Sequence, residues 1–166
     1  LTWWVEEFLE DEVGLVVKAN FVNNSIIDYE HTYSAIQSVI SKYPERKCKV
    51  YLLHGDCSTS EMIGLYTNPK IKCLVNISHG EGFGLPIFEA TREGLPVVCV
   101  GWSGHLDFLS IDGKNLFSEV DYTLQQVPDN AVWKDVIDKD MLWAHADQGS
   151  FKICLLYTSD AADDLL

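Results

Sequence analysis

Apolar runs recur along the chain, with helix-patterned stretches between them. Val13-Gly-Leu-Val-Val-Lys-Ala19 predicts a first strand, and the stretch from Asp28 to Ser41 predicts a helix through Tyr33, Ile36, Val39 and Ile40 that Pro44 ends. Lys49 to His54 predicts a second strand, Ser60 to Tyr66 a helix closed by the turn Asn68-Pro69, and Ile71 to Ile77 a third strand. A glycine-rich turn and a helix come next, then Leu95 to Val100 as a fourth strand, a short helix over His105 to Leu109, and a weaker fifth strand over Asn115 to Val120. Between Thr123 and Gln148 the pattern is mixed; the part holding Trp133 and Trp143 is read as helix, with both indoles in the core. This alternation predicts an α/β fold, a parallel sheet covered by helices. Right-handed crossovers would gather the loops after each strand on one edge, where ligands of such folds bind.

Composition agrees with a folded chain. Of the 166 residues, 47% are hydrophobic and 22% charged, which is the profile of one globular domain and not of a disordered segment. Twelve basic residues against 25 acidic ones leave a formal charge of −13, so the long-range field repels nucleic acid and anionic membranes. A small phosphate compound is not excluded, because main-chain amides and a helix N-terminus act over a few ångströms. Five cysteines form no CxxC pair and several lie in apolar runs, so they are expected to be reduced and structural, as in the cytoplasm. No apolar run has the length of a membrane span. The chain starts at Leu1 and not at Met, so an upstream part is expected. Residues 154–166, Cys-Leu-Leu-Tyr-Thr-Ser-Asp-Ala-Ala-Asp-Asp-Leu-Leu, turn abruptly small and acidic. They resemble translated sequencing-adapter read-through, which leaves 1–153 as the domain and 154–166 as a non-native tail.

The chemistry concentrates in His79-Gly-Glu-Gly-Phe-Gly-Leu-Pro-Ile-Phe-Glu-Ala-Thr-Arg-Glu-Gly-Leu-Pro-Val-Val98. Gly80, Gly82 and Gly84 let the main chain approach a ligand, Pro86 suits the first turn of a helix, and Gly94 suits a left-handed C-terminal cap. A helix from Leu85 to Glu93 then aims its positive end at the glycine loop, with Glu81 before the turn and Glu89 within the helix. Amides for phosphate oxygens beside carboxylates for paired hydroxyls outline a nucleotide sugar. Ser103, Gly104 and His105 are expected to begin the helix after the fourth strand, where their main-chain amides would reach the phosphates. Taken singly, each residue also has a plainer reading: Glu89 favours the helix dipole, Glu81 is a solvated loop acid, His79 packs or caps, and Ser103 is an N-cap in an ordinary turn. Neither GxGxxG nor GxxxxGK[ST] is present.

Glu81-Gly-Phe-Gly-Leu-Pro-Ile-Phe-Glu89-Ala, followed by Gly94-Leu-Pro-Val-Val98, resembles the Glu-x7-Glu signature of retaining GT-B-type glycosyltransferases of the glycogen-synthase-like and mannosyltransferase-like group. Nearly every fixed position of that motif is matched, and Trp102-Ser-Gly-His-Leu-Asp-Phe108 resembles bacteriophage and giant-virus-like members. The resemblance implies one Rossmann-like half of a GT-B fold, a parallel sheet with helices on both faces. This would be the C-terminal half, which takes the nucleotide diphosphate sugar, while an N-terminal domain takes the acceptor. It implies that Glu81 with the main chain of Gly82, Phe83 and Gly84 holds the donor sugar, that the Leu85 amide meets the diphosphate, that Glu89 takes the ribose hydroxyls and that His79 lines the donor pocket. No metal or other cofactor is implied. The family places an Arg, and a Lys soon after it, near the end of the first strand; here Lys18 stands alone, followed by Asn20, Asn23 and Asn24. Lys18 is thus the expected diphosphate contact. The implied activity is hexose transfer to a hydroxyl acceptor with retention. The missing Arg keeps a second expectation open, a sugar-nucleotide or carbohydrate-binding module of the same fold without turnover.

Overall fold

The structure, a computed structural model, describes residues 1–163, with side-chain surroundings through Thr158; 164–166 of the expected tail lie outside the described residues. The chain folds as two compact units, Leu1–Thr59 and a second that begins at Ser60.

The first unit holds α1 (Thr2–Glu7), β1 (Gly14–Lys18), α2 (Ile26–Ile40) and β2 (Lys49–Leu53). β1 and β2 pair in parallel from Gly14↔Lys49 to Lys18↔Leu53, with α2 as the crossover. α1 is absent from the pattern reading; it forms because Trp4 and Val5 are buried and the helix packs on α2. α2 starts earlier than expected, since the Ser25 hydroxyl accepts the Asp28 N–H at 3.2 Å and caps the helix there.

Asp28, Thr32, Ile36 and Ile40 form the buried stripe of α2 at a spacing of four. An acid heads this stripe because the chain supplies donors for it. The Asp28 carboxylate accepts the N–H groups of Phe21 at 3.0 Å, Val22 at 3.0 Å and Asn23 at 3.4 Å, and the His54 ring lies at 3.3 Å. Burial pushes the Asp28 carboxyl up, but the bonds from Val22, His54, Phe21 and Asn23 outweigh it and hold the group below the ordinary carboxylate range. A depressed native value stabilises the fold fully above the ordinary carboxyl pKa of about 4, and the contribution fades as pH falls through the lower value. Thermal melts from pH 7 to pH 2 should therefore show an acid-side loss that Asp28→Asn flattens; a variant with the parent's acid limb would refute this account.

The second unit holds α3 (Thr59–Tyr66, whose first residue closes the first unit), β3 (Leu74–Asn76), α4 (Leu85–Arg92), β4 (Val97–Val100) and α5 (Leu106–Leu109). β5 (Ser110–Ile111), β6 (Lys114–Asn115), β7 (Ser118–Val120), β8 (Tyr122–Gln126), β9 (Leu142–Ala146) and α6 (Gln148–Asp163) follow. β3, β4 and β7 form a parallel sheet in that order, with Leu74↔Val97 and Val98↔Ser118 in register. Every residue of the central strand β4 is buried, because each face is covered. Val97 and Cys99 pack with Ile87 and Ala90 of α4, Leu95, Leu109 and Tyr66. Val98 and Val100 alternate to the other face, where Ser118 bonds Thr158 of α6 at 2.8 Å. That helix crosses the composition break at 153/154 and packs on β4 and β7.

The molecule is therefore a mixed α/β protein with small parallel sheets. The five expected strands do not join in one ladder: β1–β2 and β3–β4–β7 are separate sheets. The third strand is shorter than the apolar run that predicts it, and the region of the fifth splits into β6, which hairpins with β5, and β7. The largest correction concerns 123–148. No helix spans it; β8 and β9 pair antiparallel from Tyr122↔Ala146 to Gln126↔Leu142, and Trp133 is 65% exposed instead of core. The indoles do not mark a buried helix face because Pro128 and the turns around Asp135 break any helical period. All five cysteines are free thiols, and burial pushes Cys99 to about 12 and Cys73 to about 11, which keeps them unreactive. Among the described residues no helix is long and apolar enough to cross a membrane.

Candidate functional site

The glycine loop leaves the carboxyl end of β3 and enters α4. Asn76 ends the strand with its side chain turned along the loop: Oδ1 accepts the Ser78 N–H at 2.9 Å, and Nδ2 donates to Glu81 Oε1 at 2.9 Å. The Ser78 hydroxyl donates to the same Glu81 oxygen at 2.8 Å. One oxygen of Glu81 thus braces the loop from within. This is more than the solvated acid or sugar contact expected of it.

Gly84 takes φ 82°, ψ 51°, a left-handed conformation that a β-carbon would disfavour, and there turns the chain into α4. No side chain caps the helix, Pro86 sits in its first turn, and the Phe88 N–H returns to the Gly84 carbonyl at 2.9 Å. Of the first helical residues, Leu85 is 57% exposed, Pro86 carries no N–H and Ile87 is fully buried, so Leu85 is the one that offers an amide at the surface. At the other end Gly94 is left-handed, with its N–H on Thr91 O at 3.0 Å and the Leu95 N–H on Ala90 O at 3.0 Å. That is a Schellman closure, as the glycine predicts.

Glu89 lies one turn beyond Leu85 on the same helix face and is half-buried. Burial first, and the Glu89 charge second, push the Tyr66 hydroxyl up, which places this carboxylate beside the core tyrosine. Phe83, Phe88 and Phe108 pack on one another with ring centroids 5.1 to 5.4 Å apart, so the phenyl rings serve packing even though Phe83 is half-exposed.

His79 is held by the β8–β9 hairpin. Its carbonyl accepts the Ala144 N–H at 3.0 Å, and its Nδ1 donates to Ala144 O at 2.8 Å, which leaves Nε2 as the free ring nitrogen. The ring stacks on Trp143 at 4.8 Å and 4° and meets His145 at 4.5 Å. Sequence reading misses Trp143 and His145 as neighbours of His79, because 65 residues separate His79 from its partner Ala144.

A second loop, after β4, crosses the first. The Glu81 N–H donates to Ser103 Oγ at 2.9 Å, Ser103 Oγ donates to the Glu81 carbonyl at 2.6 Å, and the Gly104 N–H donates to that carbonyl at 3.0 Å. His105 is buried at 2% exposure, with Nε2 bonded to Val100 O at 2.8 Å. Asn76, Ser78 and Ser103 are absent from the expected site as side chains that bond Glu81; Asn76-Ile-Ser78 at a strand end was the readable signal, while the role of Ser103 depends on the crossing.

His79, Glu81, Gly82, Phe83, Gly84 and Leu85 lie on one strand-to-helix turn, and Glu89 follows one helical turn later, beside Tyr66. Lys18 belongs to the first unit, where its Nζ donates to the Gly55 carbonyl. A cavity of about 350 Å3 in that unit, lined by Glu12, Val13, Gly14, Lys47, Lys49 and Tyr51, contains none of the expected site residues. Among the described residues no cluster of three or more His, Cys, Asp or Glu is placed to hold a metal ion. No family model, curated protein or solved structure gives a significant match to the chain.

Proposed function

We propose that the chain is the donor-binding half of a retaining GT-B-type glycosyltransferase, Rossmann-like in plan, which passes a hexose from a nucleotide diphosphate sugar to a hydroxyl acceptor held by a second domain. The observation that carries this reading is the left-handed Gly84 entry into an uncapped helix at the carboxyl end of a parallel strand, bracketed by Glu81 and Glu89. Amides at such an end bind phosphate oxygens, each net bond contributing about 0.5–1.5 kcal/mol. Glu89 accepts a ribose diol, Glu81 and the Gly82–Gly84 main chain hold the hexose, and His79 walls the pocket. Charge developing on the departing diphosphate is stabilised by the amides and the helix end.

Calorimetry with UDP, GDP and ADP tests it. One of the three should bind, and Glu89→Gln should weaken that nucleotide about tenfold, the loss of a charged hydrogen-bond acceptor. Silence with all three would sink the reading.

A second reading, a nucleotide-sugar-binding module without turnover, draws on the engagement of Lys18 by Gly55 and on the asparagines at 20, 23 and 24. A nucleotide-release assay with the sugar donor of the nucleotide that binds, run on the chain fused to a matching N-terminal half, separates the two.

A further inference from the structure

Among the described residues, three other than glycine have positive φ: Ser103 at 98°, Asp112 at 50° and Asp135 at 63°. The two aspartates occupy turns in the ordinary left-handed region, which aspartate tolerates. Ser103 lies beyond that region and carries a β-carbon, so its backbone is strained. A glycine there would be free of strain, but it would lack the hydroxyl. That hydroxyl serves both main-chain groups of Glu81, accepting the N–H at 2.9 Å and donating to the carbonyl at 2.6 Å. A β-carbon on Gly80 would lie in ordinary contact with the same hydroxyl, 3.5 Å from Ser103 Oγ. With both main-chain groups of Glu81 held, the Glu81–Gly82 peptide plane and so the direction of the Gly82 amide are set at the entry to the glycine loop.

We propose that Ser103 is a positioning residue, whose hydroxyl holds the Glu81–Gly84 loop in the geometry that receives the diphosphate, at the cost of local backbone strain. The proposal rests on the donor-site reading above. It assigns Ser103 a side-chain role through Glu81 instead of the helix-capping role its place in the sequence suggests.

Two variants test it, by hydrogen exchange at the Glu81 amide, thermal melting and calorimetry with UDP, GDP and ADP. Ser103→Gly removes strain and hydroxyl together: Glu81 should exchange about tenfold faster, nucleotide affinity should fall about tenfold, and the melting temperature should stay within about 3 °C of the parent or rise. Ser103→Ala keeps the strain and loses the hydroxyl, so the same loss of affinity should come with a lower melting temperature. A purely structural serine would instead link affinity to stability across the pair. Parent-like exchange at Glu81, or parent-like affinity in either variant, overturns the proposal. A parent that binds none of the nucleotides overturns the donor-site reading and the diphosphate role with it, while exchange at Glu81 still decides whether Ser103 holds the loop.

Discussion

Gly104→Ala should destabilise the second unit by about 3 kcal/mol or more, a magnitude reserved for steric conflicts that the fold cannot relax. A β-carbon on Gly104 would stand 2.0 Å from the Gly82 carbonyl oxygen, 2.9 Å from its carbon and 3.1 Å from the Glu81 oxygen. All three are main-chain atoms, so no side chain can swing aside. The loops must part, breaking the Gly104 N–H bond to Glu81 and the Ser103 contacts with it. Two controls sharpen the result. Gly101→Ala would also meet an atom at 2.0 Å, but that atom is Glu119 Oε1 on an exposed side chain that can rotate, so its cost should be smaller. Gly82→Ala meets nothing within 4 Å and should change stability by less than about 0.5 kcal/mol. Urea unfolding followed by circular dichroism ranks the three; equal costs at 82 and 104 would show that the loops do not cross as described.

Ile87→Ala should cost about 3 kcal/mol in the same measurement. Ile87 is fully buried at the centre of the cluster that joins α4 to β4, with Ala90, Leu95, Val97, Cys99 and Leu109 around it. Truncation loses the transfer free energy of three carbons and leaves a cavity between helix and sheet. The site is affected as well, because Ile87 Cδ1 lies 3.2 Å from the place a Gly84 β-carbon would take and so supports the turn from below. Ile87→Val, which removes a single methyl, should cost about 1 kcal/mol. An alanine variant as stable as the parent would mean that α4 is not seated on β4, and the geometry of the glycine turn would lose its foundation.

The limits of α4 were legible almost to the residue. Gly84, Pro86 and Gly94 impose dihedral preferences on their own positions, so Leu85–Glu93 expected and Leu85–Arg92 observed differ only at the cap. The strands β1, β2 and β4 were legible because an apolar run between turn residues marks a strand, although only β4 is buried throughout. The misreadings lie where pairing joins distant segments. β8 and β9 look irregular until they meet across the turns that separate them, and a mixed pattern holding two tryptophans then passes for a helix.

The candidate site divides along the same line. His79, Glu81, Glu89 and the glycines are neighbours in the chain, so a local motif presents them together. The partners of Glu81 on Ser103, of His79 on Ala144 and of Lys18 on Gly55 lie 22, 65 and 37 residues away. Backbone preference acts within a few residues and is written in residue type; which remote loop crosses which depends on how helices seat on strands, and that is settled only when the chain packs.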